Sequence, residues 1–260
     1  MTAIPFRGEI QLSQLECLAF IMPAQVMPRR RTILFFTWAA GCVDAIVYIV
    51  AHVFTANMTG NAVLLGISLG TSLSMATVRS LVALITFIAG IVLGAFLVTD
   101  EGQEIPWKRI RAAVLVESIV LALFAAVFLL PFSLHDETIV EVLIVLSAFA
   151  MGLQSATVKR LNLPGIATTY ITGTMTSLVS GLIHHWRNEK EDPEEAQNLI
   201  ATERSLALQA WVFILYALAA VVSALLYRFW PAGVALLPLV AIVAVTVSVY
   251  VQHPAHALKD

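Results

Sequence analysis

Six runs of about twenty predominantly apolar residues constrain this chain more than any other feature. A helix rises about 1.5 Å per residue, so a run of that length spans the roughly 30 Å hydrocarbon core of a bilayer. The runs are Ile33–Phe54, Leu81–Val98, Ile110–Leu130, Thr138–Val158, Ser205–Tyr227 and Ala232–Val251. Composition points the same way: 59% of the residues are hydrophobic, 12% are charged, and the mean hydropathy is +0.87. Soluble domains are typically about 45–50% apolar and about 25% charged. The expected fold is an all-α polytopic membrane protein. Nucleic acid is not an expected partner, because the net charge is −2 and the basic residues are scattered rather than clustered into a patch.

Two shorter stretches, 62–78 and 175–186, are richer in Ser, Thr and Gly, and the crossing count turns on whether they span. Basic residues favour the cytoplasmic side of a membrane. With six crossings and a cytoplasmic N-terminus, thirteen of the fifteen Lys and Arg lie inside; with both short stretches crossing, only nine do. The six-crossing reading is therefore preferred, with 62–78 and 175–186 as re-entrant or interfacial helices. It divides the chain into a tail (1–30), a first membrane repeat (31–132), a second (133–252) and a C-terminal tail (253–260). The expected location is the inner membrane, multi-pass, with both termini cytoplasmic.

The halves resemble each other. "GCVDA" at 41–45 matches "GLQSA" at 152–156, and "TANMTGN" at 55–61 matches "TTYITGT" at 168–174, with a slip of two residues between the matches. Three crossings per half is an odd number, so the second half enters the membrane upside down. Inverted three-span repeats recur in secondary transporters, whose sites lie at broken helices near the midplane.

In the first run Thr37, Gly41, Asp44, Tyr48, His52 and Thr55 fall within an arc of about 80° at 100° per residue. A charged carboxylate at mid-membrane costs about 2.5–3.5 kcal/mol, so Asp44 must face protein or water. It reads either as a coupling or substrate-binding group or as a hydrogen-bonded structural residue. Glu117 poses the same alternative, whereas Glu141 reads as interfacial. Gln154 corresponds loosely to Asp44. In the motifs, Gly60 and Gly173 read as hinges, since Gly accepts a positive φ. Asn57, Thr59, Asn61, Thr172 and Thr174 offer uncharged donors and acceptors, and Asn61 and Thr174 also suit the N-caps of the short helices. A helix N-terminus aimed at a cavity attracts anions; the bland alternative is a pair of capped turns. Ala62, Gly66, Gly70 and Ser74, then Thr86, Gly90 and Gly94, then Ala220 and Ala224, recur every four residues, the spacing that lets helices approach closely in lipid. The segment "NEKEDPEEAQNLIATER" at 188–204 reads as the main hydrophilic loop. Cys17, Cys42 and the adjacent His184 and His185 suggest neither a disulfide framework nor a metal site, and no cofactor fingerprint is present.

"GCVDA…FTANMTGNAVLLG" together with "GLQSATVKRLNLPGIATTYITGTMTSL" resembles the bacterial YoaK family of integral membrane proteins, also called DUF1275, over about residues 30–250. The resemblance implies a small multi-spanning inner-membrane protein and carries no defined substrate. The leading functional expectation is a small secondary transporter or permease, not an enzyme, for a small polar solute or coupling ion. Its partners would be the bilayer and a second copy of the chain. The alternatives are an intramembrane enzyme using Asp44 and Glu117 as acid and base, or a scaffold or sensor acting through the acidic 188–204 segment.

Overall fold

A computed structural model describes residues 26–71, 75–99, 107–130, 136–161, 171–188 and 195–252. Among these residues the chain is helical throughout: α1 Val26–Ala51, α2 Met58–Thr71, α3 Met75–Val98, α4 Trp107–Phe128, α5 Glu137–Arg160, α6 Ile171–Asn188, α7 Glu195–Phe229 and α8 Leu236–Gln252. A 3-10 turn, Ala232–Ala235, leads into α8. Six segments are long and apolar enough to cross a membrane: Arg30–Ala51, Met75–Val98, Trp107–Phe128, Glu137–Arg160, Leu206–Phe229 and Ala232–Val251. They coincide with the six runs read from the sequence, and the boundaries differ for local reasons.

The first span stops at Ala51 rather than Phe54, because His52 takes a φ of 58° and its N–H closes on the carbonyl of Tyr48. A left-handed residue just past the last helical one is a common helix stop. The first short helix ends at Thr71, and Thr77 and Val78 already belong to α3. The acidic segment is helical from Glu195 onward. Its "EAQNLIATER" is rich in strong helix formers, with Glu195 at the helix start where the helix dipole favours an acidic residue. Helix α5 starts on Asp136, whose side chain accepts the N–H of Thr138 at 2.9 Å, and ends in Lys159 and Arg160.

The two halves interlock. The most extensive packing joins α3 of the first half to α5 of the second, and its counterpart joins α1 to α7. The same exchange pairs α4 with α5 and α8 with α1, while α2 stays on α3 and α6 on α7 within their own halves, and α4 packs on α8 and α1 on α5 between the halves. Each half thus lends its first helix to the other half. Helices α1 and α5 are consequently the inner ones, with 61% and 56% of their apolar windows buried against 28% for α3 and 17% for α7.

Glycine permits the two crossings. A Cβ on Gly152 would stand 2.1 Å from the Phe87 carbonyl oxygen, and one on Gly90 would stand 2.2 Å from that of Phe149. At the matching place in the other crossing, a Cβ on Gly41 would lie 2.6 Å from the Tyr216 carbonyl oxygen. Close backbone approach through small residues is how helices associate where lipid gives no hydrophobic drive. On α7 the small pair that faces α1 is Ala219 and Ser223, both buried; Ala220 and Ala224 lie off that face. Gly66 and Gly70 of α2 have no atoms near an added Cβ, so the expected close packing there is not made within the chain.

Candidate functional site

The site is built around Asp44, on the buried side of α1 about two turns before its end. Beyond His52 the chain folds back along the helix, so the "FTANMTGN" break dips toward Asp44 by about 10 Å, at 1.5 Å for each of seven residues. Asp44 Oδ1 accepts the backbone N–H groups of Thr55 at 2.7 Å and Ala56 at 2.6 Å and the Thr55 hydroxyl at 3.2 Å. Its Oδ2 accepts the N–H of Asn57 at 3.1 Å and the hydroxyl of Tyr216, which reaches in from α7. All five partners are donors, so the carboxyl acts purely as an acceptor and both oxygens are fully engaged.

Three successive N–H groups beside a helix start form an anion cradle. The sequence leaves open what fills it. In the structure, the chain's own Asp44 does.

The rest of the motif reinforces this strap. Asn57 is the N-cap of α2, its side-chain oxygen 3.4 Å from the N–H of Gly60. Asn61, expected at that cap, lies inside the helix and turns back instead. It accepts the N–H of Phe54 at 2.9 Å and donates to the Phe54 carbonyl at 2.5 Å, so one amide side chain satisfies both backbone polar groups of one residue. Gly60 likewise sits within α2 rather than at a bend. Glycine is required there for room, since a Cβ would stand 2.9 Å from the Phe54 ring. Phe54 stacks on Tyr48 at 4.6 Å between ring centroids, and Tyr48 is 42% exposed, so Tyr48 and the exposed His52 face outward while Asp44, Thr37 and Thr55 face inward. The polar arc of the first run therefore splits. Thr37 donates to the Ile33 carbonyl of its own helix, and Thr59 is exposed.

In the second half, α6 starts at Ile171, the residue that aligns with Met58 at the start of α2. Gly173 and Thr174 fall inside α6, so Gly173 is not at a break and Thr174 is not an N-cap. Residues 168–170 and the side chains of Thr172, Thr174, His184 and His185 lie outside the described residues, as do Cys17 and Ser74.

Superposing Gly41 on Gly152 in the alignment sets Ser155 opposite Asp44, and the matching crossings set Phe87 opposite Tyr216. Ser155 donates to the Met151 carbonyl at 2.8 Å. At the matched positions, serine and phenylalanine thus stand where the first half has a carboxyl and a tyrosine. Gln154 bridges the halves in another way, its amide donating to the Phe36 carbonyl of α1 at 3.1 Å.

Tyr216 is the member of the site that sequence reasoning missed. The one signal for it is a phenol within the long apolar run of α7, visible only once that run is aligned with α3.

Glu117 lies at the middle of α4, fully buried, and neither of its oxygens has a hydrogen-bond partner among the described residues. Asp44 and Glu117 therefore share no hydrogen bond, and the paired-carboxyl arrangement of an acid–base dyad is not formed. A cavity of about 840 Å³ opens between α1, α7 and α8, lined mostly by apolar side chains such as Leu34, Trp38 and Leu237, with Arg31 at one end. None of the candidate residues lines it.

Among the described residues, eight helices, six of them fit to cross, with the halves interlocked through paired glycine crossings and one break strapped by a buried carboxyl, define a multi-pass membrane protein. Residues 32–249 match the family described as "Protein of unknown function (DUF1275)". The UPF0700 transmembrane protein YoaK of Bacillus subtilis (strain 168) is 35% identical over 191 residues, which cover 72% of this chain and 78% of that protein. The chain belongs to the DUF1275 family, as its two motifs lead one to expect. No solved structure matches it.

Proposed function

We propose that the protein is a small secondary transporter or permease for a small polar solute, held in the inner membrane with both termini cytoplasmic. The observation that carries this reading is the exchange of first helices between two halves of odd crossing number, one of them broken inside the layer. Inverted halves of this kind give two related arrangements in which either face opens, and broken helices place backbone polar groups at depth. The strap of Asp44 on residues 55–57 and Tyr216 then acts as a closed gate in the first half. Its opening would free three N–H groups and a carboxyl for a solute, with Asn57 and Thr59 at the rim. Thr172 and Thr174 would serve the corresponding break, with Gln154 and Tyr48 as secondary contacts. A dimer through the open α2 face fits the same scheme.

The test is flux. Purified protein in liposomes is mounted on a solid-supported membrane and challenged with a panel of amino acids, sugars, polyols, nucleosides and organic cations. A solute-dependent current or uptake that saturates, and that Tyr216→Phe alters, supports transport. Absence of flux for every member, with protein shown folded by thermal unfolding, overturns it.

A further inference from the structure

Glu117 stands apart from every other carboxyl in the described membrane spans. Asp44 is saturated with donors, and Glu137 and Glu141 lie in the first two turns of α5, near the end of its span. Glu117 has eleven helical residues on one side of its place in α4 and ten on the other, and it shares a face with Ile110, Ala113, Val114, Leu121 and Phe124, all buried.

Among the described residues no cation neutralises it. On its own helix Lys108, Arg109 and Arg111 cluster in the first turns. Arg109 donates to the Thr99 carbonyl, and the Arg111 guanidinium lies 5.3 Å from the centre of the Tyr250 ring. Arg111 is six residues from Glu117, about 9 Å along the axis and on another side of the helix. Among the helices packed on α4, the charged or titratable residues are Glu137, Glu141, Lys159 and Arg160 of α5, Tyr250 of α8 and Arg79 of α3. The α5 residues lie at its ends, Tyr250 is engaged by Arg111, and Arg79 is in the second turn of α3. Ser118, the next residue along α4, bonds to Thr246 of α8 at 2.8 Å.

A lone ionised carboxylate in such surroundings carries a large desolvation cost, and a membrane-embedded carboxyl of this kind marks an ion pathway or proton relay. A metal ion would need further oxygen ligands, which these side chains do not supply. A proton needs none.

We infer that Glu117 is a proton-binding site within the membrane, taking up and releasing one proton as the halves move. Its role as the coupling site rests on the transporter reading above; its proton occupancy does not.

The experiment is modification with dicyclohexylcarbodiimide, an apolar reagent that partitions into membranes and reacts with protonated carboxyls. The carboxyl oxygen adds to the central carbon while its proton passes to nitrogen, and the adduct rearranges to a stable N-acylurea with no leaving group. The expected result is one adduct per chain, mapped to Glu117 by peptide mass spectrometry, falling as pH rises and absent in Glu117→Gln. Water-soluble carbodiimide should spare Glu117 and label the carboxyls in water. Failure of the apolar reagent to label Glu117 between pH 5 and pH 9, with wild-type protein intact, overturns the inference, as does labelling confined to Glu137 or Glu141. Labelling of Glu117 together with absent solute flux keeps the proton site and removes the transporter reading. Labelling with flux that is indifferent to the modification separates Glu117 from coupling.

Discussion

At Asp44, donors from two distant parts of the chain converge on one side chain. Asn→Asp substitutions are often treated as mild, but the reverse exchange here would turn one acceptor oxygen into an NH2 group facing donors. Asp44→Ala would leave the backbone N–H groups of Thr55 and Ala56 buried without a partner, each at about 1–3 kcal/mol, and would release that of the exposed Asn57. We expect Asp44→Ala to be the most destabilising single change in the strap, Asp44→Asn the next, and Tyr216→Phe milder, at about 1–2 kcal/mol. Thermal unfolding in detergent reads the order. If Asp44→Asn melts with wild type, the strap is not a structural element. A double-mutant cycle between Asp44→Asn and Tyr216→Phe should be clearly non-additive, because the two side chains share one bond. Asp44 was conspicuous in the sequence because a carboxyl inside an apolar run must have a reason. Its reason was not legible, since Tyr216 lies 172 residues from it and the other partners, the Thr55 hydroxyl apart, are backbone groups, which carry no sequence signature.

The helices themselves were largely legible, because an apolar run of bilayer length leaves few choices. Their ends were not. His52 halts α1 through a left-handed φ that no residue type demands, and the acidic segment reads as a loop by charge although its residues favour helix. Glycine roles divide in the same way. Gly90 and Gly66 both fit a small-residue pattern, yet only Gly90 faces another backbone, that of the helix carrying Gly152. We therefore expect Gly152→Leu and Gly90→Leu to abolish or severely reduce folded protein, since the clash is with main chain and overpacking alone typically costs about 1–3 kcal/mol or more. Gly66→Leu should be neutral to the fold of one chain. Size-exclusion chromatography with light scattering would also show whether Gly66→Leu changes the number of chains per particle, which is the outcome expected if α2 forms a dimer contact.

For the molecule as a whole, the inverted halves predict a sidedness pattern. Single cysteines placed at the exposed residues 130 and 230 should react with an impermeant maleimide from outside intact cells, and one placed at the exposed residue 159 should react only after permeabilisation. Reaction of residue 159 from outside would overturn the assignment of six crossings with cytoplasmic termini. The repeat was visible as two short matches, and the structure gives them a register. Both short helices begin at the same motif position, and both glycine crossings fall at the same offset.

The exchange of first helices also imposes an order on synthesis. When α1 enters the membrane, the surface made to receive Gly41 does not yet exist, and it arrives only when α7 has been translated. Until then Asp44 has the N–H groups of its own break but not the phenol of Tyr216. The first four helices must wait in the bilayer half-assembled, their glycine faces open to lipid or to chaperone. A fragment ending near residue 132 should therefore be short-lived in cells and be rescued by co-expression of residues 133–260. The last steps of insertion, and not the first, complete the fold of the N-terminal half.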